Sequence, residues 1–435
     1  MGKHQSIPVR FRAVRADRNS YWTSSVHDSL MHCIITFDSH IDKERMARAV
    51  RLSLDAEPVL GCRYVINQGQ EYWERLDNLD IIELCELKET TNTDQETVQF
   101  LTARIDACKD PQVKIKILRS ETDTLCIKVN HVGVDSGGVK EYAYLLGSIY
   151  RGLADNLGYR PEINLSGTRS FQQVSRLFGF SDKLRITRTY FHDTKNHLFP
   201  RNYWATPLVK GDPSDRTFII HRIGTEQFRA IRAYASRHGA TIDDVMLAAY
   251  YRALFKLMNP NPGIPLRLVI VTDLRQHLPT GKGKAICILS GGVYLNIGQK
   301  LGSDLDDTTI LVRDQMRLKK HHLGLANQFF AMFNWIPSSW ATWMSRQMRK
   351  LTMFAHHPPA WTNMEDIDIE HLAFGNTAKV TDAFLTAPVL FFPVLFIGIS
   401  RFGESLTMTV GYCGTMVNTP IVERILNGIE SELPL

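Results

Sequence analysis

No apolar run in these 435 residues approaches the ~20 needed for a membrane-spanning helix. The longest, residues 387–399, is interrupted by Pro388 and Pro393 and is expected to be buried strand. No two cysteines form a CxxC pair: Cys33, Cys62, Cys85, Cys108, Cys126, Cys287 and Cys413 are scattered and odd in number. That usage argues against a disulfide framework and fits reduced core residues in a cytoplasmic protein. His321 with His322, His356 with His357, and His192 with His197 lack cysteine or carboxylate partners at zinc-site spacing, so no metal is expected. No glycine-rich phosphate loop or dinucleotide fingerprint follows a strand. Ser290-Gly291-Gly292 falls inside a strand-like run instead, where a β-bulge is the expected structure.

Charge is equally far from either extreme. Lys and Arg number 51 against 45 Asp and Glu, a difference of +6 with no long basic run. Nucleic acid is therefore not an expected partner, while the mild excess favours anionic ligands such as phosphorylated cofactors. The first twenty residues are polar and basic without an apolar stretch, so a secretory signal is not expected. Met1-Gly2-Lys3-His4-Gln5-Ser6 fits the myristoylation pattern, which is too short to carry an expectation of lipidation.

What is present is enough apolar chain for two cored domains of roughly two hundred residues each. Strand-like content runs over residues 26–37, and Met46, Ala49, Val50 and Leu54 recur with helical spacing behind it. Residues 60–65, 71–73 and 80–87 continue a sheet, 96–107 read as a helix, and 113–118 with 124–129 form a hairpin. An amphipathic helix follows, with apolar faces at Val139, Tyr142, Ala143, Leu146, Ile149 and Tyr150. Periodicity then fades, and the chain divides into a first half over residues 1–175, a linker over 176–214 and a second half over 215–435. The second half resumes with a strand over 217–223 and helices over 225–238 and 241–258, the latter opened by a capping box between Thr241 and Asp244. Strands over 266–272, 286–297, 390–399 and 406–412, a charged helix over 307–323 and a closing helix over 420–433 complete the pattern.

The chemistry points to Asn130-His131-Val132-Gly133-Val134-Asp135-Ser136-Gly137, placed where a β-branched strand gives way to glycines and a helix. A histidine on a turn at a strand end, with a pKa near neutrality, is suited to removing a proton from a hydroxyl or amine. About one HxxxD spacing arises by chance in a chain this long, so the motif alone leaves two readings. In one, His131 is a general base; in the other, Asp135 caps the following helix and His131 only packs.

The company of that motif resembles the HxxxD acyltransferase superfamily, with its chloramphenicol acetyltransferase-like fold and condensation domains. The resemblance is carried by residues 26–37 and 57–63, the turn from Asn130 to Gly138, the helix opening at Ala240-Thr241-Ile242-Asp243-Asp244, Asp273-Leu274-Arg275, residues 361–367 and residues 403–412. It implies an α/β (α+β) chain of two acetyltransferase-like halves, each a mixed sheet with flanking helices, and a tunnel between them. His131 would be the general base, and Asp135 a structural residue paired with Arg275. Oxyanion donors are expected among the amides of Gly137 and Gly138 and the side chains of Thr362 and Asn363; a polar loop capping its own backbone is the alternative for the last two. No permanently bound cofactor is implied, and an acyl-CoA or acyl-carrier thioester serves as co-substrate.

The partners implied are a small-molecule hydroxyl or amine acceptor and, where the donor is carrier-borne, an acyl carrier protein. Two halves in one chain permit a functional monomer. Condensation domains commonly carry a second histidine where this chain has Asn130 and a glycine where it has Ser136, and the plant-type DFGWG is absent at Ser400-Arg401-Phe402-Gly403-Glu404. Stand-alone alcohol-acetyltransferase or polyketide-associated types therefore match better, with a non-catalytic carrier-binding module as the alternative. Residues 329–354, rich in Trp and Arg, are expected to line the core or tunnel rather than dock on a membrane.

Overall fold

A computed structural model describes residues 6–198, 212–260, 266–319, 358–391 and 394–435, with isolated positions 340, 343 and 347. The chain opens with β1 (Arg10–Arg12), α1 (Arg15–Thr23), β2 (Leu30–Phe37), α2 (Lys43–Ala56), β3 (Cys62–Asn67), β4 (Gln70–Arg75) and β5 (Cys85–Glu89). It continues through α3 (Thr93–Thr102), β6 (Val113–Arg119), β7 (Asp123–Asn130), α4 (Ser136–Asp155), α5 (Gln172–Ser175) and α6 (Phe180–Leu198). The later part holds β8 (Arg216–Ile223), α7 (Thr225–Arg237), α8 (Ile242–Met258), β9 (Leu268–Asp273), β10 (Ser290–Leu295) and α9 (Leu305–Lys319). It closes with β11 (Ala360–Ile367), β12 (Val380–Thr386), β13 (Phe396–Phe402), β14 (Ser405–Cys413) and α10 (Thr419–Glu432).

Two large mixed sheets carry the architecture. One has the order β12-β2-β7-β6-β5, the other β10-β9-β11-β13-β14-β8, and β1-β4-β3 form a small third sheet. The five-stranded sheet packs α2 and α4 against one face through Met46, Val50, Tyr142, Leu146, Ile115 and Ile127. Its other face contributes Ile34, Cys126 and Leu118 to a second core, shared with α7, α8 and α10 and the six-stranded sheet. β12 belongs by sequence to the later part of the chain, yet it pairs with β2 from Val380↔Phe37 to Thr386↔His32.

Several expectations change. Residues 26–29 are not strand: His27 makes one isolated bridge to Leu390, and Ser29 takes a left-handed φ of 54°. The helix expected over 96–107 ends at Thr102, because Lys128 Nζ reaches across from β7 to the carbonyls of Phe100 and Ala103 and supplies the donors for its last turn. No bulge interrupts β10; Gly291 and Gly292 lie in continuous register with Thr272 and Val271. The 19-residue α6 occupies a stretch expected to be linker. The capping box is formed, with Asp244 N donating to Thr241 Oγ1 at 3.1 Å and Thr241 N to Asp244 Oδ2 at 2.8 Å.

Among the described residues no helix is long and apolar enough to cross a membrane. Among them, too, no group of three His, Cys, Asp or Glu could hold a metal ion. His321, His322, His356, His357 and all of 329–354 except 340, 343 and 347 lie outside the described residues, as does Met1 to Gln5 of the lipidation pattern.

Candidate active site

β7 ends at Asn130, and the next four residues form a turn whose polar groups are almost all engaged. His131 N donates to Ser29 O at 2.7 Å, and Asn130 Oδ1 accepts from Val132 N at 3.0 Å. Ser20 Oγ of α1 donates to His131 O at 2.6 Å. Arg169 Nη2 donates to Gly133 O at 2.7 Å and to Asp17 Oδ1 at 2.8 Å, so α1 holds the turn twice. A turn fixed this way presents its side chain in one geometry, a requirement for proton transfer within hydrogen-bond reach.

The ring of His131 is half-buried, and its Nδ1 lies 2.6 Å from Val134 O. A carbonyl can only accept, so Nδ1 carries the hydrogen and Nε2 presents the lone pair. Burial pushes the imidazole pKa below its ordinary value, while the Val134 bond and the Asp135 charge oppose that shift. The ring is therefore neutral at neutral pH and able to accept a proton.

Asp135 serves two elements at once. It is the N-cap of α4, taking Gly138 N on Oδ1 at 2.9 Å, and it meets Arg275 Nη1 at 2.9 and 3.1 Å. Leu289 N donates to its Oδ2 at 2.6 Å. Arg275 also donates to Glu141 Oε1 at 3.1 Å, Asp273 Oδ1 at 3.1 Å and Cys287 O at 2.8 Å. Burial opposes the charge on Arg275, but Asp135, Asp273 and Glu141 together hold its pKa above the ordinary value. Both side chains of the central pair are 3% exposed, and this network ties the turn of one sheet to the strand end of the other.

Gly137 and Gly138 stand on the same network. A Cβ at Gly137 would collide with the Asp273 carboxylate and come within 2.7 Å of Arg275 Nη1. A Cβ at Gly138 would lie 2.6 Å from Val134 Cγ1 and 2.9 Å from Cys287 O. The amide of Gly138, expected to face an oxyanion, is instead committed to capping α4, which corrects that expectation. Thr362 and Asn363 lie on β11, not on a loop. Thr362 is buried opposite Gly398 and Val271, while Asn363 is half-buried opposite Ile399. β11 reaches α4 through Lys140 Nζ, 3.4 Å from Asp366 O.

Sequence reasoning missed His27. Its ring centroid is 5.7 Å from that of His131. Its Nδ1 accepts from Ser29 N at 3.0 Å, and Nε2 lies 3.1 Å from Thr23 Oγ1. Burial, followed by the neighbouring charge of His131, pushes its pKa to about 3, so it stays neutral. Its Ser29 bond stabilises the left-handed residue whose carbonyl holds the His131 amide. A histidine ahead of a strand carries no sequence signal of such a contact; nor do Ser20, Asp17 and Arg169.

No family model matches the sequence, and no curated protein matches it. Solved structures do. Polyketide synthase associated protein 5 from Mycobacterium tuberculosis aligns over 97% of both chains with a TM-score of 0.68 at 14% identity. The trichothecene 15-O-acetyltransferase from Fusarium sporotrichioides aligns over 98% of this chain and 96% of its own, with a TM-score of 0.71 at 12% identity. The first condensation domain of the CDA synthetase aligns over 98% and 96%, with a TM-score of 0.68 at 13% identity. Over nearly its whole length, the chain therefore has the fold of condensation domains and related acyltransferases, two chloramphenicol acetyltransferase-like halves.

Proposed function

We propose that the protein is an acyltransferase that moves an acyl group from a thioester, acyl-CoA or acyl-carrier, to the hydroxyl or amine of a small acceptor. The observation that carries this reading is the lock of His131 Nδ1 on Val134 O, which leaves Nε2 as the basic nitrogen on a rigid turn. In this reading Nε2 takes the acceptor proton as the acceptor oxygen or nitrogen bonds to the thioester carbonyl carbon. The tetrahedral intermediate then collapses, the C–S bond breaks, and the imidazolium returns its proton to the leaving thiolate. The products are an ester or amide and a free thiol.

Negative charge develops on the carbonyl oxygen, and Thr362, Asn363 or the Gly137 amide is assigned to it. Asp135 and Arg275 are positioning residues that hold the turn and touch no substrate. Asn130, at the position of the second histidine in condensation domains, is buried and fixes Val132 N, which supports a structural rather than chemical role for it.

Thiol release from a panel of acyl-CoA and acyl-carrier donors, with mixed alcohols and amines as acceptors, tests the reading. Wild-type protein should turn over at least one pair, and His131→Ala should lower kcat by about 10²–10⁴-fold with unchanged circular dichroism. Equal rates for the two proteins would sink the mechanism.

A further inference from the structure

The helix α6 carries apolar side chains on two faces. Ile186 is buried in a small core with Leu274, Cys287 and Leu289, so this face of α6 lies against the segment that carries Arg275. Phe180 and Leu184 do the opposite: they are 85% and 62% exposed. About one helical turn separates them, which puts both on a single stripe along the helix. Two such side chains side by side keep apolar area in water that a partner would cover.

The charges are arranged around that stripe. At about 100° per residue, Arg188 follows Leu184 around the helix and Arg185 lies beyond it, while Lys183 is on the far flank of Phe180. Arg185 and Arg188 are exposed and form no ion pair with any described residue, and Lys183 is half-buried. The one acid between residues 176 and 189 is Asp182. It falls opposite the stripe, is half-buried, and accepts from Gly179 N at 3.3 Å.

That pattern decides the kind of partner. A protein partner would need a shape-matched pocket for Phe180 and a carboxylate fixed opposite each guanidinium. A bilayer needs neither, since its boundary region takes an apolar stripe to a shallow depth and its anionic headgroups gather around the cations. The long arms of Lys and Arg let the charges stay among the headgroups while the apolar side chains go deeper.

We propose that α6 docks flat on an anionic membrane surface, with Phe180 and Leu184 entering the acyl boundary and Lys183, Arg185 and Arg188 meeting the lipid headgroups. The helix lies on the bilayer and does not cross it. Docking of this kind is independent of whether His131 transfers an acyl group.

Sedimentation of the full chain with vesicles of phosphatidylcholine alone, or of phosphatidylcholine mixed with phosphatidylserine, tests it. The mixed vesicles should bind at least about tenfold more tightly, with affinity falling as salt rises. Phe180→Ser combined with Leu184→Ser should weaken that binding by about tenfold or more. Arg185→Glu combined with Arg188→Glu should weaken it by at least about as much. All four positions are exposed, so both double variants should keep the wild-type circular dichroism. No binding to the mixed vesicles, or binding that survives either double variant, overturns the proposal. A dimer in light scattering that Phe180→Ser with Leu184→Ser abolishes would also overturn it, because a second copy would then cover the stripe.

Discussion

His27 and His131 face one another with ring planes tilted by 49°, and they differ in what their nitrogens do. Both nitrogens of His27 are engaged, by Ser29 and Thr23, while among the described residues His131 bonds through Nδ1 alone. The first ring is held at both nitrogens, and the second leaves Nε2 available, as the proposed general base requires.

Replacing His27 separates its two bonds. His27→Asn keeps an acceptor near the position of Nδ1 and should retain kcat/KM within a few fold. His27→Phe keeps the ring and loses the Ser29 bond, and kcat/KM should fall by about 10–100-fold through displacement of His131. Steady-state kinetics of the two variants, each with its pH profile, decide this; equal activities would remove His27 from the positioning chain.

The acid limb of the pH–rate profile should lie below 6.5, the ordinary imidazole value, because burial lowers the His131 pKa. Activity then stays flat as pH falls to that value and drops only beneath it, as the ring gains its proton. His27, held to about 3, stays neutral throughout the drop. An acid limb above 6.5 in kcat/KM would contradict the burial argument.

Arg275→Met should cost more stability than it removes in contacts, since it leaves Asp135, Asp273 and Glu141 without their shared cation. A loss of about 3–5 kcal/mol is expected in denaturant unfolding. Asp135→Leu combined with Arg275→Met should recover part of that stability without recovering activity, because the turn loses its cap as well as its charge.

Gly138→Ala should lower stability by about 1–3 kcal/mol through overpacking against Val134 and Cys287. Since Val134 O holds the His131 ring, kcat should fall more than KM rises. A folded variant with normal kcat would show that the turn tolerates the shift.

The sequence made the His131 turn legible because strand, glycines and helix follow one another within a few residues. The Asp135–Arg275 pair was expected only through the resemblance, and it is formed. β11 escaped notice because Thr362, Asn363, Glu365 and Asp366 give it neither apolar alternation nor a continuous apolar run, although it lies between two parallel neighbours. Ser20, His27 and Arg169 were invisible for another reason: each acts on a turn far from it in the chain, and local periodicity carries no such information.

The pairing of β12 with β2 has a consequence for biosynthesis. At ribosomal rates of about 5–20 residues per second, roughly tens of seconds separate the synthesis of these two strands. Until residue 386 has been made, one side of β2 has no strand beside it, an open template for pairing with other nascent chains. A fragment that stops after α4 keeps that open side permanently, so it should aggregate when expressed alone, and adding back a peptide spanning 378–388 should improve its solubility.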